Sequence, residues 1–187
     1  MTDDALMCLE EAKESMENAL AHLKRELHKI RAGKATPSML DGVMVEFYGV
    51  PTPIAQTSNI STPDARQIVI QPFDKSTIYD VEKAILQANL GFNPQNEGEV
   101  LRIVVPPLTE ERRIDLAKKA KNEAEDAKVS IRNSRRSGND EAKKLEKEGL
   151  SEDESKRLQE KIQDLTNDYI KKVDEILAAK ETDIMTV

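Results

Sequence analysis

The 187 residues include no tryptophan and one cysteine, Cys8. A single thiol excludes both a disulfide framework and a thiolate zinc site. Aromatic residues make up only 3% of the chain, so no ring-filled core is expected. No apolar run approaches the ~20 residues that a membrane-spanning helix needs. Thr2, Asp3, Asp4, Glu10 and Glu11 interrupt any early apolar stretch, so no signal peptide is expected. His22 and His28 are the only histidines. Six residues apart on one helix, they fall on different faces and make a poor pair for a shared metal. No GxxxxGK[ST] motif is present to cradle nucleotide phosphates. No serine or cysteine has a recognisable base partner, and the many acids sit at the spacing of a solvated helix surface. The expectation is a cytoplasmic protein that is not an enzyme and uses no cofactor and no metal.

Charge is abundant. Charged residues make up 34% of the chain and the formal net charge is −7. That balance opposes general attraction to polyanions, so any nucleic-acid contact must be local. The mix suits long helices. Residues 2–30 read as one of them. Leu9, Met16, Leu20, Leu23, Leu27 and Ile30 recur in steps of three and four, with Leu6 extending the seam backwards and Lys13 its one polar member. Thr2, Asp3 and Asp4 supply the cap and first-turn acids. Lys24, Arg25, Lys29, Arg31 and Lys34 crowd its end, more cations than a helix dipole alone accounts for. Gly33 and Pro37 stop it.

Between residues 36 and 105 the periodicity changes. Val43, Val45 and Phe47 alternate with Met44, Glu46 and Tyr48, a strand pattern. Gly49, Pro51 and Pro53 read as a turn, residues 54–60 as a weaker strand, and residues 66–71 as a buried strand closed by Pro72. Asp74 or Ser76 caps a helix carrying Ile78, Val81, Ile85 and Leu86, which Gly91 ends. Residues 93–98 read as a turn cluster and 100–105 as a further strand. This is a small α+β unit.

Pro106 and Pro107 end it, because proline has no N–H for a ladder and restricts the residue before it. Thr109 stands at an N-cap position, with Glu110 and Glu111 in the first turn. The helix that follows carries a narrow stripe of Ile114, Ala117, Ala120, Ala124, Ala127 and Ile131. Its pattern weakens at residues 137–139, where Gly138 costs about 1 kcal/mol relative to alanine if helical. Ser151 and Glu154 form a capping box for the last helix, whose seam is Leu158, Ile162, Leu165, Tyr169, Val173, Ile176 and Leu177. Three helices each own an apolar seam that none can bury alone. The economical arrangement is a three-helix bundle, residues 1–31 and 106–187, with residues 32–105 inserted. Two short junctions near 31–37 and 105–107 make a hinge, with Arg31, Gly33, Val105, Pro106 and Pro107 at its edges.

The second long helix also carries a positive ribbon. Lys118, Lys121, Lys128, Arg132, Arg135 and Arg136 fall within an arc of about 100°, interrupted only by Glu125. Asp115, Glu123 and Asp126 lie on the opposite flank. Charge sorted by flank suits a polyanion such as RNA. A helical adaptor or chaperone, whose seams bind client helices, is the alternative reading; a monomer, with seams satisfied inside one chain, speaks against it.

Residues 29–38 (KIRAGKATPS), Glu46-Phe47-Tyr48-Gly49 followed by Pro51-Thr52-Pro53, residues 106–113 (PPLTEERR) and residues 132–136 (RNSRR) resemble the ribosome recycling factor family, in order and along the full chain. The resemblance implies an α+β two-domain protein, a three-helix bundle with a hinged α+β domain, L-shaped like tRNA. It implies a monomer that binds the large ribosomal subunit and its rRNA after termination, while elongation factor G with GTP drives subunit separation. The cations expected on rRNA are Lys121, Lys128, Arg132, Arg135, Arg136, Lys24, Arg25, Arg112 and Arg113. Lys34 stands where the family usually has arginine, which keeps the charge but gives up the bidentate fork.

Overall fold

The computed structural model describes residues 1–186, and its chain folds as two compact units, Met1–Ala32 with Glu110–Thr186, and Gly33–Thr109. The first is built from three long helices: α1 (Asp3–Lys29), then α4 (Glu110–Lys147) and α5 (Glu152–Met185) from the far end of the chain. Each start is chemically marked. The Thr2 hydroxyl accepts from the Ala5 N–H, and the Ser151 hydroxyl accepts from the Glu154 N–H. With 38 residues, α4 is about 57 Å long at 1.5 Å per residue. Cys8 lies against Gly138 and Ser15 against Ser134, so α1 and α4 run antiparallel. Lys128 reaches Asp174 and Ser155 reaches Ala142, so α4 and α5 also run antiparallel.

The bundle buries smaller residues than the heptad pattern predicts. On α1 the inward positions begin Ala5, Cys8 and Ala12 before reaching Met16, Leu20, Leu23 and Leu27. Leu6, expected in the seam, is exposed, and Leu9 is only half-buried. On α4 Ile114, expected in the stripe, is exposed, and Leu116 is buried instead. On α5 Thr166 is buried and Leu165 half-buried. The helix also runs unbroken through Gly138. A Cβ there would lie 3.0 Å from Ile162 Cδ1 and 3.5 Å from Ala12 Cβ, so at this glycine α4 is in close contact with both other helices. Small residues on α1 and α4 let the axes approach, and the larger neighbours on each helix are then left at the rim. Tyr169 is buried in the same core. Burial first, and then the Glu17 carboxylate, push its phenol up to about 12.

The second unit contains β1 (Met44–Phe47), β2 (Val50–Pro53), the single turn α2 (Ile54–Thr57), β3 (Ser58–Asp64), β4 (Gln67–Pro72), α3 (Ile78–Gln87), β5 (Pro94–Asn96) and β6 (Leu101–Val104). β3, β4, β6 and β5 form an antiparallel sheet in that order, and β1 pairs with β2 apart from it. Ile68 faces Ile103 and Ile70 faces Leu101 in the central register, and all four are fully buried. Ile78, Val81 and Ile85 of α3 complete the core, whereas Leu86 points outward.

Three local expectations change. The turn is at Tyr48-Gly49, both at positive φ as a two-residue hairpin requires, and Pro51 and Pro53 lie in β2. β2 has a neighbour on one side only, so a proline there removes no second ladder. Residues 54–57 are a helical turn, not a strand, because Ile54 and Thr57 are both buried. A spacing of three puts two side chains on one side of a helix but on opposite sides of a strand. Residues 93–98 include the short edge strand β5 as well as a turn.

Candidate nucleic-acid interface

The positive ribbon of α4 divides into two columns. Lys121, Lys128 and Arg135 are spaced by seven residues and border α5. Lys121 Nζ lies 3.9 Å from Glu181 Oε1, Lys128 Nζ lies 2.6 Å from Asp174 Oδ1, and Arg135 Nη1 donates to Gln163 Oε1 at 3.2 Å. These are flank positions of an antiparallel helix pair, where charged side chains cross the seam. A wheel drawn on one helix places the cations but shows nothing of the acids that meet them.

The outer column carries Lys118, Arg132 and Arg136. Arg132 pairs within its own helix, Nη1 at 3.3 Å from Glu125 Oε1. Glu125 is therefore the ribbon's one internal counter-charge. Lys118 and Arg136 are exposed and make no ion pair among the described residues. Arg112 and Arg113 stand in the first turns of α4. Arg113 Nη1 donates to the Met185 carbonyl at 3.5 Å while its Nε is buried without a hydrogen-bond partner. Lys24 and Arg25 are exposed near the end of α1. The Cys8–Gly138 and Ser15–Ser134 contacts put them level with residues 120–125 of α4 along the bundle.

The residues expected at the junctions are partly tied down. Gly33 has φ +75°, the left-handed region, and a Cβ there would lie 2.6 Å from Leu108 Cγ. The Ala35 N–H donates to the Ala65 carbonyl at 2.8 Å, and the Val105 N–H to the Arg66 carbonyl at 2.7 Å. Both chain segments are thus pinned to the turn between β3 and β4. Val105 is buried, while Arg31, Pro106 and Pro107 are exposed.

The arrangement offers phosphate-sized cation contacts along one helix and little else. Cys8 is buried, and burial, then Glu141 and Glu11, push its thiol up, which makes it a poor nucleophile at neutral pH. Among the described residues no group of three or more His, Cys, Asp or Glu is placed to hold a metal ion. No helix among them is long and apolar enough to cross a membrane.

The family model for ribosome recycling factor matches residues 23–185. A ribosome-recycling factor of Flavobacterium johnsoniae is 59% identical over 187 residues, covering all of both chains. One from Bacillus cytotoxicus is 56% identical over 180 residues, 96% of this chain and 97% of the relative. Among solved structures, a solution structure of ribosome recycling factor aligns over 100% of both chains with TM-score 0.77 and 38% identity. A second covers 100% of both chains with TM-score 0.62 and 41% identity. It presents the T. thermophilus factor and the E. coli elongation factor G bound to the E. coli post-termination complex.

Proposed function

The chain belongs to the ribosome recycling factor family, and from that footing we propose that it acts on the ribosome after termination. It binds the large subunit and, with elongation factor G and GTP, separates the post-termination ribosome so that mRNA and tRNA are released. The observation that carries this reading is full-length similarity to a factor described on a post-termination complex with elongation factor G. Its place of action is the cytoplasm. The rRNA contacts are the α4 ribbon, with Arg132 and Arg136 foremost, supported by Lys121, Lys128, Arg135, Lys24, Arg25, Arg112 and Arg113. Arginine suits them, because its fork meets phosphate bidentately and its plane stacks on bases. The factor works as a monomer: its three seams bury against one another, which leaves the adaptor reading without a free seam. Cosedimentation with isolated large subunits, followed by subunit splitting read by light scattering, tests the proposal. Binding together with splitting that needs this chain, elongation factor G and GTP is expected; no binding to large subunits sinks it.

The energy for separation comes from the partner GTPase, and this chain breaks no bond. Purified protein incubated with GTP alone is expected to release no phosphate above the buffer blank, and turnover that survives further purification overturns this.

The inserted α+β domain moves relative to the bundle. Of the junction residues, Gly33, Ala35, Val105 and Leu108 are fastened within their own unit, while Arg31, Pro106 and Pro107 are exposed. Spin labels on Glu14→Cys and Ser61→Cys, with Cys8→Ala, should give a broad distance distribution that narrows or shifts on large subunits. One sharp distance, unchanged by ribosomes, removes the hinge.

A further inference from the structure

We propose that Glu125 and Asp174 are specificity-determining residues that screen Arg132 and Lys128 of α4 from polyanions other than the ribosomal site. The inference rests on the proposed rRNA contact and adds to it the acids that stand against the cations. The geometry is asymmetric. Lys128 keeps only 20% of its side chain exposed, while its partner Asp174 keeps 56%. Arg132 keeps 42% and Glu125 keeps 61%. In both pairs the acid is the more accessible member. Lys121 is the more exposed member of its looser pair, 65% against 33% for Glu181, so that acid does not screen it.

A generic polyanion approaching Lys128 or Arg132 therefore meets a carboxylate that is more accessible than the cation. Beyond a Debye length, about 8 Å at physiological ionic strength, each close pair acts as a neutral dipole and attracts nothing. The chain's net charge of −7 then repels RNA and DNA at large. A surface that places phosphates in register with the cations, and has nothing negative opposite the acids, still makes close contacts. Selectivity then comes from placing repulsion against wrong partners, not only attraction toward the right one. Ordinary solubility needs none of this order. Acids scattered on any face would serve it, whereas these two meet cations of one ribbon at 2.6 and 3.3 Å.

Two variants separate charge from packing. Glu125→Gln changes an exposed pair inside one helix, and Asp174→Asn changes a pair across the α4–α5 seam. Affinity is measured over a salt series for a non-ribosomal RNA duplex of about two helical turns and for isolated large subunits. Each variant is expected to bind the duplex about 3- to 10-fold more tightly than the parent, with a log–log salt slope steeper by about one. Large-subunit affinity is expected to rise less, so that the ratio between the two falls. If the parent binds large subunits and neither variant gains affinity for the duplex, the inference is wrong and the proposed function stands. A gain of equal factor for both partners also overturns it, because the acids then tune strength and not choice. Should Asp174→Asn loosen the bundle, seen as a lower melting temperature, Glu125→Gln alone decides. A parent that fails to bind large subunits condemns the functional reading instead.

Discussion

Ile162→Ala is expected to destabilise the helical unit by about 2–5 kcal/mol, the range for a buried isoleucine cut to alanine. Ile162 is fully buried, and its Cδ1 would stand 3.0 Å from a Cβ on Gly138. Removing it opens a void where α1, α4 and α5 meet, and three long helices cannot collapse independently onto one point. The paired variant makes the test specific. Gly138→Ala alone should be close to neutral. It gains up to about 1 kcal/mol in helix propensity but meets Ile162 Cδ1 at 3.0 Å. In the Ile162→Ala background the same methyl enters the void without that contact, so the double variant should recover about 1–2 kcal/mol of the loss. Urea unfolding followed by circular dichroism at 222 nm reports on the helices. If the effects of the two changes simply add, the three-way contact at Gly138 is not energetically real.

Arg132→Ala should weaken binding to the large subunit by about 1–3 kcal/mol and flatten the log–log salt dependence by up to one unit. Arg136→Ala should act alike, and it is the cleaner probe because that side chain is exposed and makes no ion pair. Arg135→Ala mixes two effects, since its guanidinium also donates to Gln163 across the seam. Folding should shift by less than about 0.5 kcal/mol for Arg136→Ala, as for most exposed positions. Glu123→Ala, on the flank away from the ribbon, is the control and should leave affinity nearly intact. Should Arg132→Ala and Arg136→Ala both bind large subunits as tightly as the parent at every salt concentration, the ribbon is only a solvated helix face, whatever the family.

The two columns of that ribbon also separate what is local in the chain from what depends on packing. The sequence by itself determined the α+β two-domain class. It also determined the long helices with the caps at Thr2 and Ser151, the strands around Val45, Ile68 and Ile103, and the family through its motif blocks. These features are local. A hydroxyl caps the turn that follows it, a proline removes its own N–H, and alternation or a 3.6-residue period is written in consecutive residues. What the tertiary structure decided is what each face meets. Leu6 and Ile114 have the right hydrophobicity for the core yet stand outside it, while Ala5, Cys8, Ala12 and Gly138 go in. Burial is set by how near the neighbouring axis comes, and small residues bring it nearest. Residues 54–57 curl into a turn because two side chains three apart both find the core, a fact about the core and not about those four residues. Lys128 and Lys121 look free on a single helix. They meet Asp174 and Glu181 only because α5 returns antiparallel beside α4. A pairing between residues more than forty positions apart in sequence depends on the register of two helices, and packing sets that register.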